Sequence, residues 1–152
     1  MNIFVLDVNP SKAAIYHNNS HVVKMPLETA QMLCTNLVKF GIESPYLPVH
    51  RKHPCTLWAG QSRENFLWLC ELGLELCQEY TFRYGKVHKS QEVIEYAVDK
   101  SHLIPKGLLT KFALAMPDDY KRCCPVESYR EYYRKDKGHL AEWKLRNVPE
   151  WY

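Results

Sequence analysis

No stretch of this sequence stays apolar for the length a bilayer demands, and its opening MNIFVLDVNP lacks the basic flank and long apolar core of an export signal. The expectation is a cytoplasmic protein with no membrane partner. Neither sign of charge is in excess. Lys plus Arg number 20 against 17 for Asp plus Glu, so non-specific coating of DNA is not predicted and any anion site must be local. The six cysteines lack zinc-ribbon spacing. Cys123 and Cys124 are adjacent, while Cys34, Cys70 and Cys77 fall on apolar helical faces, where a free thiol acts as a small hydrophobe. Internal repeats and low-complexity tracts are absent, and strand signal is confined to the β-branched and aromatic run Asn2–Asp7. A chain of 152 residues buries about two-thirds of its unfolded surface without a metal or disulfide staple. These observations predict a mainly α fold: one domain over residues 1–152, a compact helical bundle with a short N-terminal extended segment.

What is present is organised around Ser62–Lys89. Phe66, Leu69, Cys70, Gly73, Cys77, Tyr80 and Tyr84 recur at helical spacing, and Leu67, Trp68, Leu72, Leu74 and Leu76 make most of the remaining circumference apolar. A helix of this kind is buried. Its charges follow the line Glu71, Glu75 and Glu79, with Arg83 one turn beyond Glu79. Gly85 supplies the left-handed stop, and the core helix thereby delivers Lys86, Val87, His88 and Lys89 at its carboxyl end, where cations also complement the macrodipole.

Before it, Asn9-Pro10-Ser11 forms a turn with Ser11 as the expected N-cap, and Lys12–Phe40 is helical, broken at Asn18–Ser20 and bent at Pro26. Ile42–Lys52 reads as an exposed loop, and Pro54 opens a short helix through Ala59. Beyond it, Ser90 caps a helix over Gln91–Asp99. Leu108–Ala115 reads as a short apolar helix, and Val126–Trp143 as the last one, interrupted at Gly138.

From His17 onward, His17, His21, Lys24, Glu28 and Gln31 step by four, three, four and three, the repeat of one helix stripe, with Tyr16 beside it. A surface helix usually spends such a stripe on interchangeable Lys and Glu. Two histidines, a lysine, a glutamate and a glutamine instead have distinct donor and acceptor geometry. A solvated face with Lys24 paired to Glu28 accounts for the same spacing. Three chemistries could use it. His17 and His21 could ligate a metal if His53, His88 or Glu28 supplied a third ligand, but there is no HExxH, and no metal or other cofactor is expected. His17, His21 and Lys24 could act as a catalytic acid, base and charge stabiliser on a phosphodiester. Recognition alone is the third: His, Lys, Arg and Gln on phosphate, with Tyr or Trp stacked on a base. Ten tyrosines and four tryptophans, many beside cations, suit a nucleotide, although amphipathic packing of Tyr129, Tyr132 and Tyr133 explains part of that count.

The segment His17-x3-His21-x2-Lys24-x-Pro26 resembles that of the phage pyrimidine-dimer DNA glycosylases of the endonuclease V type, whose early helix reads His-x3-Glu-x2-Glu-x-Pro. Looser similarity extends over His53–Glu79 and the aromatic C-terminal end, Tyr129–Tyr133 and Trp151-Tyr152. The chain is also similar to small phage proteins with an MNIFVLD start and HVVKM-like and RYGKVHK-like segments. The departures are specific. The glycosylases' N-terminal threonine nucleophile falls at Asn2, their catalytic glutamate at Lys24 and their second helix carboxylate at His21. Exchanging two carboxylates for groups that can be cationic makes the cleft anion-holding.

What the resemblance implies is a glycosylase-like fold reused in an infected host cell to bind and sequester a nucleotide immune signal, a cyclic ADP-ribose variant or a cyclic dinucleotide. The expected site joins Tyr16, His17, His21, Lys24, Glu28, Gln31, Trp58, Arg83, Tyr84, Lys86 and His88. Phosphodiesterase action on such a signal, retained DNA glycosylase or lesion binding, and a plain interaction domain are the competing readings. The oligomeric state and the role of Asp7 have no sequence signal.

Overall fold

The computed structural model describes residues 1–152 and is mainly α, with no β-strand. Asn2–Leu6 threads through the interior without a partner strand, an extended segment interrupted by a tight turn at Phe4 where Leu6 N–H donates to Phe4 O at 2.7 Å, and Ile3, Phe4, Val5 and Leu6 are all buried. Side chains therefore satisfy its backbone. Asn2 Oδ1 accepts from the N–H groups of Ile3 and Phe4, and Arg130 Nε donates to the Leu6 carbonyl at 2.8 Å.

Helix α1 (Pro10–Tyr16) is capped by Asn9, whose side chain accepts from Lys12 N–H. The cap expected at Ser11 lies one residue inside the helix, because Pro10 already occupies the first helical position, where a missing N–H costs nothing. Asn18 caps α2 (Asn19–Lys39) by accepting from His21 N–H, so the break predicted at Asn18–Ser20 is real, and α2 continues through Pro26. Next come α3 (Pro54–Ala59), α4 (Arg63–Tyr84), α5 (Gln91–Lys100) and α6 (Pro125–Lys135).

Helix α4 is the central element, packed by α1, α2, α3 and α5. Ser62 caps it, Gly85 ends it at φ +66°, and Glu64, Glu71 and Gln78 form a narrow exposed line. Gly73 is packed against side chains of both α2 and α5: a Cβ there would stand 2.6 Å from Thr29 Cγ2 and 2.9 Å from Ile94 Cδ1. One apolar cluster of 28 buried residues takes side chains from all six helices, the N-terminal segment and Trp143.

Two expected helices differ. Residues 108–115 are irregular rather than helical, and α6 stops at Lys135, leaving a single 3-10 turn at Gly138–Leu140. In the first case other parts of the fold take the backbone hydrogen bonds a helix would have used. Ser62 Oγ donates to Leu108 O, Thr110 N–H donates to Asn65 Oδ1, and Tyr129 Oη donates to Ala113 O while accepting from Ala115 N–H. The residues just before this stretch take an orphan donor at the start of α4, since Arg63 N–H donates to Pro105 O at 2.8 Å.

Candidate functional site

The polar stripe does not lie on one helix. His17 is the C-cap of α1, whereas His21, Lys24, Glu28 and Gln31 belong to α2. His17 is fully buried. Its Nδ1 donates to Ala13 O at 2.7 Å, its Nε2 has no partner, and burial, aided by the nearby Arg83 charge, lowers its pKa to about 4. It is a neutral core histidine that reaches no cleft.

His21 is buried on most sides but lines a cavity. Tyr133 Oη accepts from Asn18 N–H and stands 2.9 Å from His21 Nδ1, with no other acceptor for its proton. The tyrosine therefore donates to Nδ1, which leaves the imidazole proton on Nε2. Burial, reinforced by His17, Lys137 and Lys24, lowers the His21 pKa to about 3. The ring is stacked on Phe4 at 4.4 Å.

Arg83 is 2% exposed and committed to the fold. It donates to Glu79 Oε1 at 2.7 Å, to Asn19 Oδ1 and to the Ile15 carbonyl at the end of α1. Burial alone would raise the Glu79 carboxyl, but hydrogen bonds from Arg146 and Arg83 reverse that and hold it below the usual range. Trp58 is buried against Trp68 and Phe112. Tyr16 is half-buried beneath Arg130 and Trp151, and Lys144 covers the Tyr84 ring. Arg83, Trp58, Tyr16 and Tyr84 are thus not gathered with the lysines. Asp7 orders the turn before α1, where Oδ1 accepts from Asn9 N–H, and pairs with Arg130.

What the structure does bring together is Lys24 of α2 with Lys86 and His88 of the turn after α4. They flank a cleft of about 630 Å³. Val23 and Leu27 of α2, Tyr80 of α4, Tyr46 of the 42–53 loop and Val87 supply its apolar and aromatic surface, and Lys89 and Ser90 complete it. No carboxylate lines the cleft, and neither Lys86 nor Lys89 forms an ion pair. His88 spends both ring nitrogens on the fold: Nε2 donates to Val23 O and Nδ1 accepts from Ser90 N–H. It positions the turn against α2 rather than offering a free donor. Gln31 lies next door, in a shallower depression of about 350 Å³ that shares Leu27 and Tyr46 with the cleft.

On the other side of Lys24 is a smaller cavity of about 150 Å³, lined by Met1, Asn2, Phe4, His21, Lys24, Met25, Glu28, Tyr132 and Lys137. Glu28 accepts Lys24 at 3.2 Å, and its Oε2 lies 3.3 Å from the Met1 amine in ion-pair contact without hydrogen-bond alignment. No three His, Cys, Asp or Glu side chains converge on a point that could hold a metal ion.

Sequence reasoning missed Tyr46, Tyr80, Lys89 and Lys137 as lining residues. Lys89 belonged to a visible basic run, and Tyr80 stood on the apolar face of α4, where it reads as core. Tyr46 and Lys137 lie in irregular segments with no periodicity to mark them. Comparison with known proteins found no matching family, no matching curated protein and no matching solved structure.

Proposed function

We propose that the protein binds and sequesters a phosphate-bearing nucleotide in the cleft between α2 and the Lys86–Ser90 turn. One observation carries this reading: three lysines, Lys24, Lys86 and Lys89, surround apolar and tyrosine surface in a groove without a single acidic lining residue. Ammonium groups suit phosphate oxygens, and a flat apolar wall suits a base. The resemblance in the His17–Pro26 segment supports a nucleotide immune signal, a cyclic ADP-ribose variant or a cyclic dinucleotide, as the occupant.

The test is incubation with those nucleotides, filtration, and mass analysis of the filtrate and of ligand released on denaturation. Intact ligand, depleted from the filtrate and recovered from the protein, is the expected result. Lys24→Ala weakens capture about tenfold, on the scale of one charge-assisted hydrogen bond, and rising salt weakens it further. A hydrolysed product would replace sequestration with catalysis.

A second reading, imine chemistry at the amine of Met1, is favoured by that nitrogen lying 3.3 Å from Glu28 Oε2. The carboxylate that the glycosylase resemblance misses at Lys24 is supplied one turn later. This reading requires Met1 to be the first residue of the mature chain, which intact-mass measurement checks. Borohydride trapping of an abasic-site oligonucleotide then tests it.

A further inference from the structure

The small cavity and the cleft share one side chain, Lys24, which lines both. Their chemistries differ. The cleft is mostly apolar with lysines at its edge, whereas the small cavity is more polar, with two lysines, His21 and one carboxylate, Glu28, in its lining. Lys24 pairs with Glu28 at 3.2 Å and Lys137 with Asp136 at 3.0 Å beside the Tyr132 ring, so an incoming phosphate takes both ammonium groups over from those carboxylates, with the Met1 amine as a third cation. His21 adds a neutral N–H donor: Tyr133 holds Nδ1, so the proton sits on Nε2, which makes no hydrogen bond within the protein. At about 150 Å³ the cavity is too small for a base and ribose and sufficient for a phosphate group with water.

A strained residue forms one wall. Phe4 has φ +32°, a region that bulky side chains rarely occupy, and in this conformation its ring stacks on His21 at 4.4 Å. Asn2 Oδ1 holds the strained turn by accepting from Phe4 N–H. Strain of this kind persists where surrounding structure over-determines it and gathers at ligand sites.

We infer that the small cavity beside His21 and Lys137 is a second phosphate subsite, joined to the cleft through Lys24, so that the ligand carries two phosphates. The inference rests on the cleft being a nucleotide site. In that arrangement Lys86 and Lys89 hold one phosphate at the cleft edge, Lys137 and His21 Nε2–H hold the other, and Lys24 stands between them. A mononucleotide fills only half the site.

The experiment is calorimetric titration of the full chain with AMP, carrying one phosphate, and with ADP-ribose and cyclic di-AMP, each carrying two. Wild type, Lys86→Met and Lys137→Met are compared, with thermal melting to verify folding. The expected pattern is binding of at least one two-phosphate ligand about tenfold or more tighter than AMP. Lys137→Met removes that advantage and leaves AMP within twofold of wild type, while Lys86→Met weakens both kinds of ligand. If Lys137→Met leaves two-phosphate binding unchanged while Lys86→Met weakens it, the cleft reading stands and the second subsite is overturned. Equal affinity for AMP and the two-phosphate ligands also overturns it. If no nucleotide binds wild type, the cleft reading itself fails and takes the subsite with it.

Discussion

His17 and His21 look alike as letters and differ in use. Four-residue spacing places two histidines on one stripe only if one helix carries both, and the Asn18–Ser20 break resets the register between them. Their types were legible in the sequence, but burial was not, because it depends on Phe4, Tyr133 and the C-terminal segment closing around them. Burial fixes a sign. The pKa of both falls well below 6.5, His17 to about 4 and His21 to about 3, the latter also disfavoured by Lys24, Lys137 and His139. Their contribution to stability is complete above pH 6.5 and is lost as pH falls from there towards 4, because the unfolded chain takes up protons that the fold refuses. Each refused proton costs about 1.4 kcal/mol per pH unit. Denaturant melts at pH 7, 6 and 5 should show stability falling by up to about 3 kcal/mol per unit across the lower interval. His21→Gln should roughly halve that slope, and a flat profile would contradict the burial of both rings.

At the level of elements, periodicity served best where a helix is buried nearly all round. The α4 pattern and its Gly85 stop followed from local chemistry, whereas the Ser62 cap emerges only in the fold. Residues 108–115 are the contrasting case. An apolar run of that length is compatible with helix, but Ser62, Asn65 and Tyr129, distant in sequence, claim its backbone groups and leave it irregular. The tight crossing at Gly73 gives a direct test of α4 packing. Alanine there gains about 1 kcal/mol of helix propensity but meets Thr29, whose β-branched side chain has little rotamer freedom in a helix. Overpacking typically costs about 1–3 kcal/mol. Gly73→Ala should therefore lower Tm by a few degrees, about 2–4 °C per kcal/mol of net loss, and a Tm at or above wild type would show that α2 and α5 can give way.

Across the whole molecule, the two ends of the chain close over the α1–α2 junction. The N-terminal segment passes beneath His21, and residues 141–152 return over α1: Trp143 Nε1 donates to Tyr16 O, Asn19 N–H donates to Glu142 O, and Arg146 holds both oxygens of Glu79 at 2.9 and 2.8 Å. None of these long-range ties has a sequence signature, which is why Arg83 read as a ligand-binding cation when it anchors this closure. Arg146→Ala strips Glu79 of two hydrogen bonds and leaves Arg83 as its remaining cation. The expected loss is about 1–3 kcal/mol, read as a lower midpoint in urea.

The distribution of thiols turns that closure into something that can be timed. Cys34, Cys55, Cys70 and Cys77 are buried on α2, α3 and α4, and burial pushes Cys55 and Cys77 up to about 12 and Cys70 higher still, whereas Cys123 is exposed and Cys124 half-exposed. A thiol-specific reagent should therefore modify two sites at once and four only as fast as the helices part. Mass spectrometry of the slow four dates the opening of each helix in turn. In Arg146→Ala, Cys70 and Cys77 should quicken first, since α4 is the helix that the lost contact secured.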